Sequence, residues 1–176
     1  MAKPLDPGCI FQVLAEHKVD YVLIGGLAAV LHGSTAMTND ADILPSDEAP
    51  NVERLSKALT DLEARLRVDS DPDGVAFDPH PALIASVATL NMTTKCGDLD
   101  LTFMPAGLAG YDAVLAKSET FELEGQLVRV ASLDDIIRSK TAADRPKDHA
   151  TLPILCLLYT SPSPRDLSTS RMPSSA

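Results

Sequence analysis

Two aspartates one residue apart, Asp40 and Asp42, stand at the edge of a short apolar run that includes Ala41, Ile43 and Leu44. In an extended chain residues i and i+2 share a face. Both carboxylates therefore project to one side while Ala41 and Ile43 turn to the core. Carboxylates held this close repel and raise each other's pKa unless a cation sits between them. Mg²⁺ takes oxygen ligands and keeps positions open for phosphate oxygens, so it suits such a pair. For an isolated Asp-x-Asp, the plain alternative is a solvated acidic loop end.

A second pair, Asp98 and Asp100, lies in Gly-Asp-Leu-Asp-Leu. Asp100, between Leu99 and Leu101, would supply a third carboxylate if its strand lies beside the first; Asp98 reads as a turn residue, with the opposite assignment open. Three convergent carboxylates suit a two-metal site, in which one ion activates the attacking oxygen and the other holds a triphosphate. Upstream, Gly25-Gly26 follows a β-branched run and opens an Ala-rich segment. Glycines there let the backbone approach a phosphate, whose charge a helix N-terminus favours.

These residues need strands to fix them and helices to cover the sheet. Val19–Ile24 reads as a strand stopped by the glycines, and Leu27–His32 as a short helix closed by Gly33-Ser34. Ala41–Leu44 is a second strand ended by Pro45. Apolar spacing predicts helices over Cys9–Lys18 and, on the stripe Val52, Leu55, Leu59, Leu62 and Leu66, over Asn51–Leu66. Asp69–Pro81 reads as a loop. Val87–Met92 and Leu99–Phe103 form an expected hairpin through Lys95–Asp98. A short helix over Tyr111–Ala116 and a hairpin over Phe121–Val130 follow. Ser132 reads as an N-cap with Asp134 and Asp135 in the first turn of a helix reaching about Ala143. Strands and helices mix without strict alternation, so the expected class is α+β, a single domain with a mixed or antiparallel sheet flanked by helices.

The glycine pair, short helix, Asp-x-Asp and later strand aspartate resemble the signature of the DNA polymerase β-type nucleotidyltransferase superfamily. More narrowly, the chain resembles bacterial minimal nucleotidyltransferases related to abortive-infection, toxin–antitoxin enzymes. The resemblance spans about Val19 to Leu155, including Gly97–Gly107 and the block Ala131–Asp148. It implies the nucleotidyltransferase fold and an enzyme that moves a nucleotidyl group from an NTP to an acceptor hydroxyl on tRNA, protein or a small molecule, releasing pyrophosphate. Asp40, Asp42 and Asp100 would be the catalytic residues and hold Mg²⁺, with two ions expected. Gly25, Gly26 and Ser34 would touch the nucleotide phosphates. Lys140 would neutralise the triphosphate as a point charge, and Arg145, Lys147 and Asp148, in an Arg-Pro-Lys-Asp turn, would line the nucleotide or acceptor pocket. The alternative is a weakly catalytic binding module that meets a toxin or antitoxin partner protein. One departure stands out: relatives often carry an Arg near the position of Ala36 or Met37, whereas no Lys or Arg lies between Lys18 and Asp42.

Other polar candidates carry less. His17 and His80 read as a solvated face and a loop. His32 reads as a capping or surface residue, and His149 as an orienter of a carboxylate or a solvent-facing ring. Cys9, Cys96 and Cys156 show neither disulfide nor metal spacing, which suits a reducing cytoplasm.

The net charge of -10, from 15 basic and 25 acidic residues, opposes non-specific nucleic-acid binding, which rests on Lys and Arg contacts to phosphate. No apolar run approaches the roughly 20 residues of a membrane helix. The last stretch, residues 156–176, reads as a disordered Ser/Pro-rich tail by composition. It also resembles the translation of a transposase-type sequencing-library adaptor, with Leu167, Ser168 and Thr169 from the variable index. On that reading the native domain is residues 1–155, with 13 basic and 24 acidic residues, and its C-terminal helical part is truncated, Thr151–Leu155 being the start of a helix.

Overall fold

The computed structural model describes residues 3–161. Its elements in chain order are α1 (Pro7–Glu16), β1 (Tyr21–Ile24), α2 (Gly25–Leu31), β2 (Asp40–Pro45), α3 (Ala49–Asp61), β3 (Arg65–Val68), β4 (Asp71–Ala76), α4 (Pro81–Ser86), β5 (Thr89–Thr94), β6 (Gly97–Thr102), α5 (Tyr111–Lys117), β7 (Glu119–Leu123), β8 (Gln126–Val130), α6 (Leu133–Ala143) and α7 (Pro146–Thr160). The strands make one mixed sheet in the order β4-β3-β5-β6-β2-β1-β8-β7. Pairs β2–β6 and β1–β8 are parallel and the remaining neighbours antiparallel. The expected α+β class with a mixed sheet is the class observed.

Alternation along the central strands builds the core. Leu23, Ala41, Ile43, Leu99, Leu101 and Met92 are buried on one face of the sheet. Fully burying each of the large ones contributes about 1.5–3 kcal/mol. Helix α1 covers that face with Ile10, Phe11 and Leu14, and the Phe11 ring stacks on Tyr21 with centroids 6.0 Å apart. Asp6 caps α1 by accepting the Cys9 N–H at 3.0 Å, and Ser132 caps α6 by accepting the Asp135 N–H at 3.2 Å. The second cap matches the sequence expectation, with Asp134 and Asp135 in the first turn.

Four expectations change. Helix α3 ends at Asp61, and Glu63 adopts a left-handed φ of 53°. The chain then turns back as the β3–β4 hairpin, where a helix end and a loop were expected, with Leu66 in a strand. Asp98 is a strand residue of β6, paired with Asp40 across the parallel ladder, and not a turn. Cys9 and Cys96 form a disulfide that joins α1 to the β5–β6 turn, their Cα atoms 5.8 Å apart, while Cys156 is free and exposed. Sequence spacing missed the pair because its partners are brought together only by the packing of α1 on the sheet. Finally, Arg145–Asp148 is the N-terminus of α7, with Pro146 at its first position, not a turn. That helix runs on through Thr160, so the first five residues of the expected disordered tail are helical. Residues 162–176 of that stretch lie outside the described residues. No helix among the described residues is long and apolar enough to cross a membrane.

Candidate active site

Strands β1, β2 and β6 lie side by side in a register that sets the acidic wall. Ile24 faces Asp42 across the antiparallel β1–β2 pair, and Asp42 faces Asp100, as Asp40 faces Asp98, across the parallel β2–β6 pair. Along β2 the pattern alternates half-buried Asp40 and Asp42 with buried Ala41 and Ile43. Both aspartates thus share the face opposite the α1-covered core. Asp40, Asp42 and Asp100 each present a carboxylate oxygen, and the three lie within 4.8 Å of one another. Asp98 is outside this group.

Two glycines make room for the cluster. Gly25 opens α2 with a φ of +71°, and a Cβ there would collide with the Asp42 carboxylate. That conformation costs glycine nothing. A Cβ on Gly26 would come within 2.7 Å of the Thr38 hydroxyl. Thr38 in turn donates to the Asp40 carboxylate at 3.0 Å, while the Gly26 N–H donates to Asp42. Burial first, and then the charges of Asp40 and Asp100, push the Asp42 carboxyl up to about 6, against the opposing pull of Lys147 and the Gly26 N–H. Asp100 is also raised, first by burial, although Arg67 opposes the shift.

Helices α6 and α7 form the basic wall. Asp148 is completely buried and accepts from Lys140 Nζ at 3.0 Å and from Arg145 Nε at 2.7 Å. Burial alone would raise its pKa. The bonds from Arg145 and Lys140 outweigh that and hold it below the usual carboxylate range. Lys140 is itself buried and Lys147 is exposed.

Gly25, Gly26, Ser34, Asp40, Asp42, Lys140, Arg145 and Lys147 all line one cleft of about 470 Å³ between the two walls. Of the remaining expected residues, Asp100 completes the carboxylate cluster beside the cleft. Asp148 stands behind the wall, and its carboxylate reaches the cleft through Lys140 and Arg145. Ser34 is buried, with its hydroxyl accepting the Ala36 N–H at 3.2 Å. The histidines are elsewhere: His32 bonds the Ala131 carbonyl at 2.8 Å, His17 pairs with Asp61, His80 caps α4, and His149 pairs with exposed Asp144.

Sequence reasoning missed Arg67. It extends from β3 and donates Nη1 to Asp98 at 2.7 Å and Nη2 to both oxygens of Asp100 at 2.8 and 2.9 Å. The signal was present as the alternation Arg65-Leu-Arg67-Val, which puts both arginines on one strand face; it was hidden by extending the α3 stripe through Leu66. Asp135, read as a helix-start acid, also lines the cleft. So do Met37 and Met104, both largely exposed near the cleft's rim.

The acidic cluster is chemically suited to Mg²⁺. Its donors are hard oxygens, it carries more negative charge than Arg67 balances, and the missing Gly25 Cβ is what lets the Asp42 carboxylate sit against the backbone there.

No protein-family model matches the chain, and no curated protein matches it. Solved structures do. A lincosamide antibiotic adenylyltransferase, LnuA, solved with lincomycin bound, superposes with a TM-score of 0.59 at 14% identity, covering 89% of this chain and 99% of that one. A Thermotoga maritima protein assigned as a candidate nucleotidyltransferase gives 0.51 at 14% identity, covering 85% of this chain and 89% of that one. These likenesses show that the chain has the nucleotidyltransferase fold.

Proposed function

We propose that this protein is an enzyme that transfers a nucleotidyl group from an NTP to an acceptor hydroxyl, with Mg²⁺ held by Asp40, Asp42 and Asp100. The observation that carries the reading is the convergence of those three carboxylates beside the Gly25-Gly26 turn, facing a basic wall across one cleft. A triphosphate needs both: cations along its length and a metal at the reacting phosphorus.

Each group then has a task. The glycine backbone admits the phosphates at close range. Lys140 and Arg145, held by Asp148, and the exposed charge of Lys147 neutralise the triphosphate. Mg²⁺ held by Asp40, Asp42 and Asp100 would supply Lewis-acid stabilisation of the charge at the transferring phosphate and at the acceptor oxygen. The acceptor oxygen bonds to the α-phosphorus, the bond to the β-phosphate bridge breaks, and pyrophosphate and a proton are released. Positioning and charge stabilisation supply the rate.

The test is incubation of the protein with labelled NTPs and Mg²⁺ against RNA, protein and small hydroxylated molecules. Lincomycin, the ligand of the structural neighbour, belongs among the acceptors. An Asp40→Asn/Asp42→Asn double variant is run alongside. Label transfer that vanishes in the variant supports the enzyme and names its acceptor class; a folded protein that binds no NTP overturns the reading. The toxin–antitoxin binding module is separated by the same pair of proteins, because a partner acting by contact keeps its biological effect without Asp40 and Asp42.

A further inference from the structure

Arg67, Asn91, Asp100 and Asp42 form a row across four strands, since Leu66 faces Met92, Asn91 faces Asp100, and Asp100 faces Asp42. The Arg67 side chain passes over β5 to reach β6. There its two terminal nitrogens separate: Nη1 holds Asp98 and Nη2 holds both oxygens of Asp100. Asp98 and Asp100 are 15% and 13% exposed at their side chains, and Arg67 34%. These are charge-assisted bonds in a partly desolvated setting, with the fork geometry that guanidinium makes and ammonium does not.

The consequence concerns Asp100. It is the carboxylate of the cluster whose two oxygens are both engaged by a cation of the protein itself. A divalent ion that takes Asp100 must share or displace the Nη2 bonds and must approach a fixed positive charge. Asp98 lies outside the Asp40–Asp42–Asp100 cluster, yet it keeps a bond to Nη1 that Asp100 does not use.

We propose that Arg67 is a positioning residue that occupies Asp100 in the metal-free protein and withdraws onto Asp98 when a divalent cation enters. The Arg67–Asp98 pair thereby sets the metal affinity of the site. This rests on reading Asp40, Asp42 and Asp100 as the metal ligands. It assigns a function to Asp98, a conspicuous acid beside the cluster, and it makes the signs of two substitutions opposite. Losing Arg67 removes both the competitor and its repulsion of the incoming ion, so metal binds more tightly. Losing Asp98 leaves the guanidinium with Asp100 as its acceptor, so metal binds more weakly.

Mn²⁺ is the probe, with binding to the full chain followed by electron paramagnetic resonance and calorimetry in the absence of nucleotide. Arg67→Gln should lower the apparent Kd roughly tenfold, as expected for removing one nearby positive charge from a partly buried divalent site. Asp98→Asn should raise it several-fold. In the Arg67→Gln background, Asp98→Asn should change it little, because Asp98 acts through Arg67. Arg67→Lys keeps the charge without the fork and should fall between wild type and Arg67→Gln. It also carries the test should Arg67→Gln fail to give a folded protein in thermal denaturation.

Unchanged or weaker Mn²⁺ binding in the Arg67 variants overturns the proposal; a purely structural role for Arg67 gives that weaker binding. An equal loss from Asp98→Asn in both backgrounds also overturns it, since Asp98 then acts as a plain charge. Mn²⁺ binding that is insensitive to Asp40→Asn/Asp42→Asn points instead to failure of the metal-site reading itself, a result distinct from the other two.

Discussion

On the β2–β6 wall of the cleft four aspartates stand together, and one guanidinium bonds two of them, Asp98 and Asp100; on the α6–α7 wall, one aspartate holds a lysine and an arginine. The same residue types give opposite results. Asp42 is pushed up to about 6 by burial and by its acidic neighbours, whereas Asp148, more deeply enclosed, is held below the usual range by its two cations. Burial pushes both acids up; what separates them is the pair of cations bonded to Asp148, which outweighs burial there and has no counterpart at Asp42. The acidic wall is short of positive charge and is suited to receive it. The basic wall has satisfied its own carboxylate and has cationic character left for an anionic ligand.

Removing the acids is the strongest way to break this contrast. Asp40→Asn/Asp42→Asn should lower nucleotidyl transfer by at least roughly 10²–10³-fold, the scale of losing a central charge-stabilising group, measured by label incorporation at saturating Mg²⁺. Across the cleft, Asp148→Ala strands Lys140 without its buried partner. Unfolding in urea should show a loss of about 3–5 kcal/mol, the usual cost of breaking a buried ion pair from one side.

A third experiment sharpens the comparison through pH. Asp42 titrates at about 6 in the folded protein against an ordinary 3.8, so its ionisation opposes folding. The cost is complete above about pH 6, shrinks between 6 and 4, and is absent below. In metal-free buffer Asp42→Asn should therefore stabilise the chain by about 2–3 kcal/mol at pH 7.5. The gain should fade toward pH 4, as followed by thermal denaturation across that range. Asp148→Asn should show no such gain at neutral pH, because that acid is already held ionised by its partners. The smallest effect belongs to exposed Lys147. Lys147→Gln should cost under about 1 kcal/mol of stability and raise the KM for NTP a few-fold, read from initial rates.

Much of the acidic wall was legible in the sequence because strand alternation is local: Asp40 and Asp42 had to share a face, and the apolar residues between them had to face the core. The glycines were legible for the same reason, since a strand-to-helix turn within two residues asks for a left-handed position. What escaped depends on pairings distant in the chain. The stripe Val52, Leu55, Leu59, Leu62, Leu66 satisfies helical spacing throughout, yet the helix ends at Asp61 because Leu66 is taken by the sheet beside Met92. That one mistaken element concealed Arg67. Asp98 was misplaced because a Lys-Cys-Gly-Asp string reads equally well as a four-residue turn or as a two-residue turn followed by a strand. The basic wall was named through family likeness. Its internal arrangement, with Asp148 bonding Lys140 across eight residues, follows from the left-handed break at Asp144 that folds α7 back on α6.

The parallel neighbours β2 and β6 carry one further consequence. Asp42 and Asp100 stand opposite one another across the ladder, but the intervening chain must first make two helices, a hairpin and a returning strand. Closing so long a segment costs entropy before any contact repays it, which makes such pairings slow. The three-carboxylate cluster is thus expected to form late in folding, since the Asp40-x-Asp42 pair has no Asp100 beside it until β6 is in place. Refolding followed by Mn²⁺ binding should lag refolding followed by helical signal.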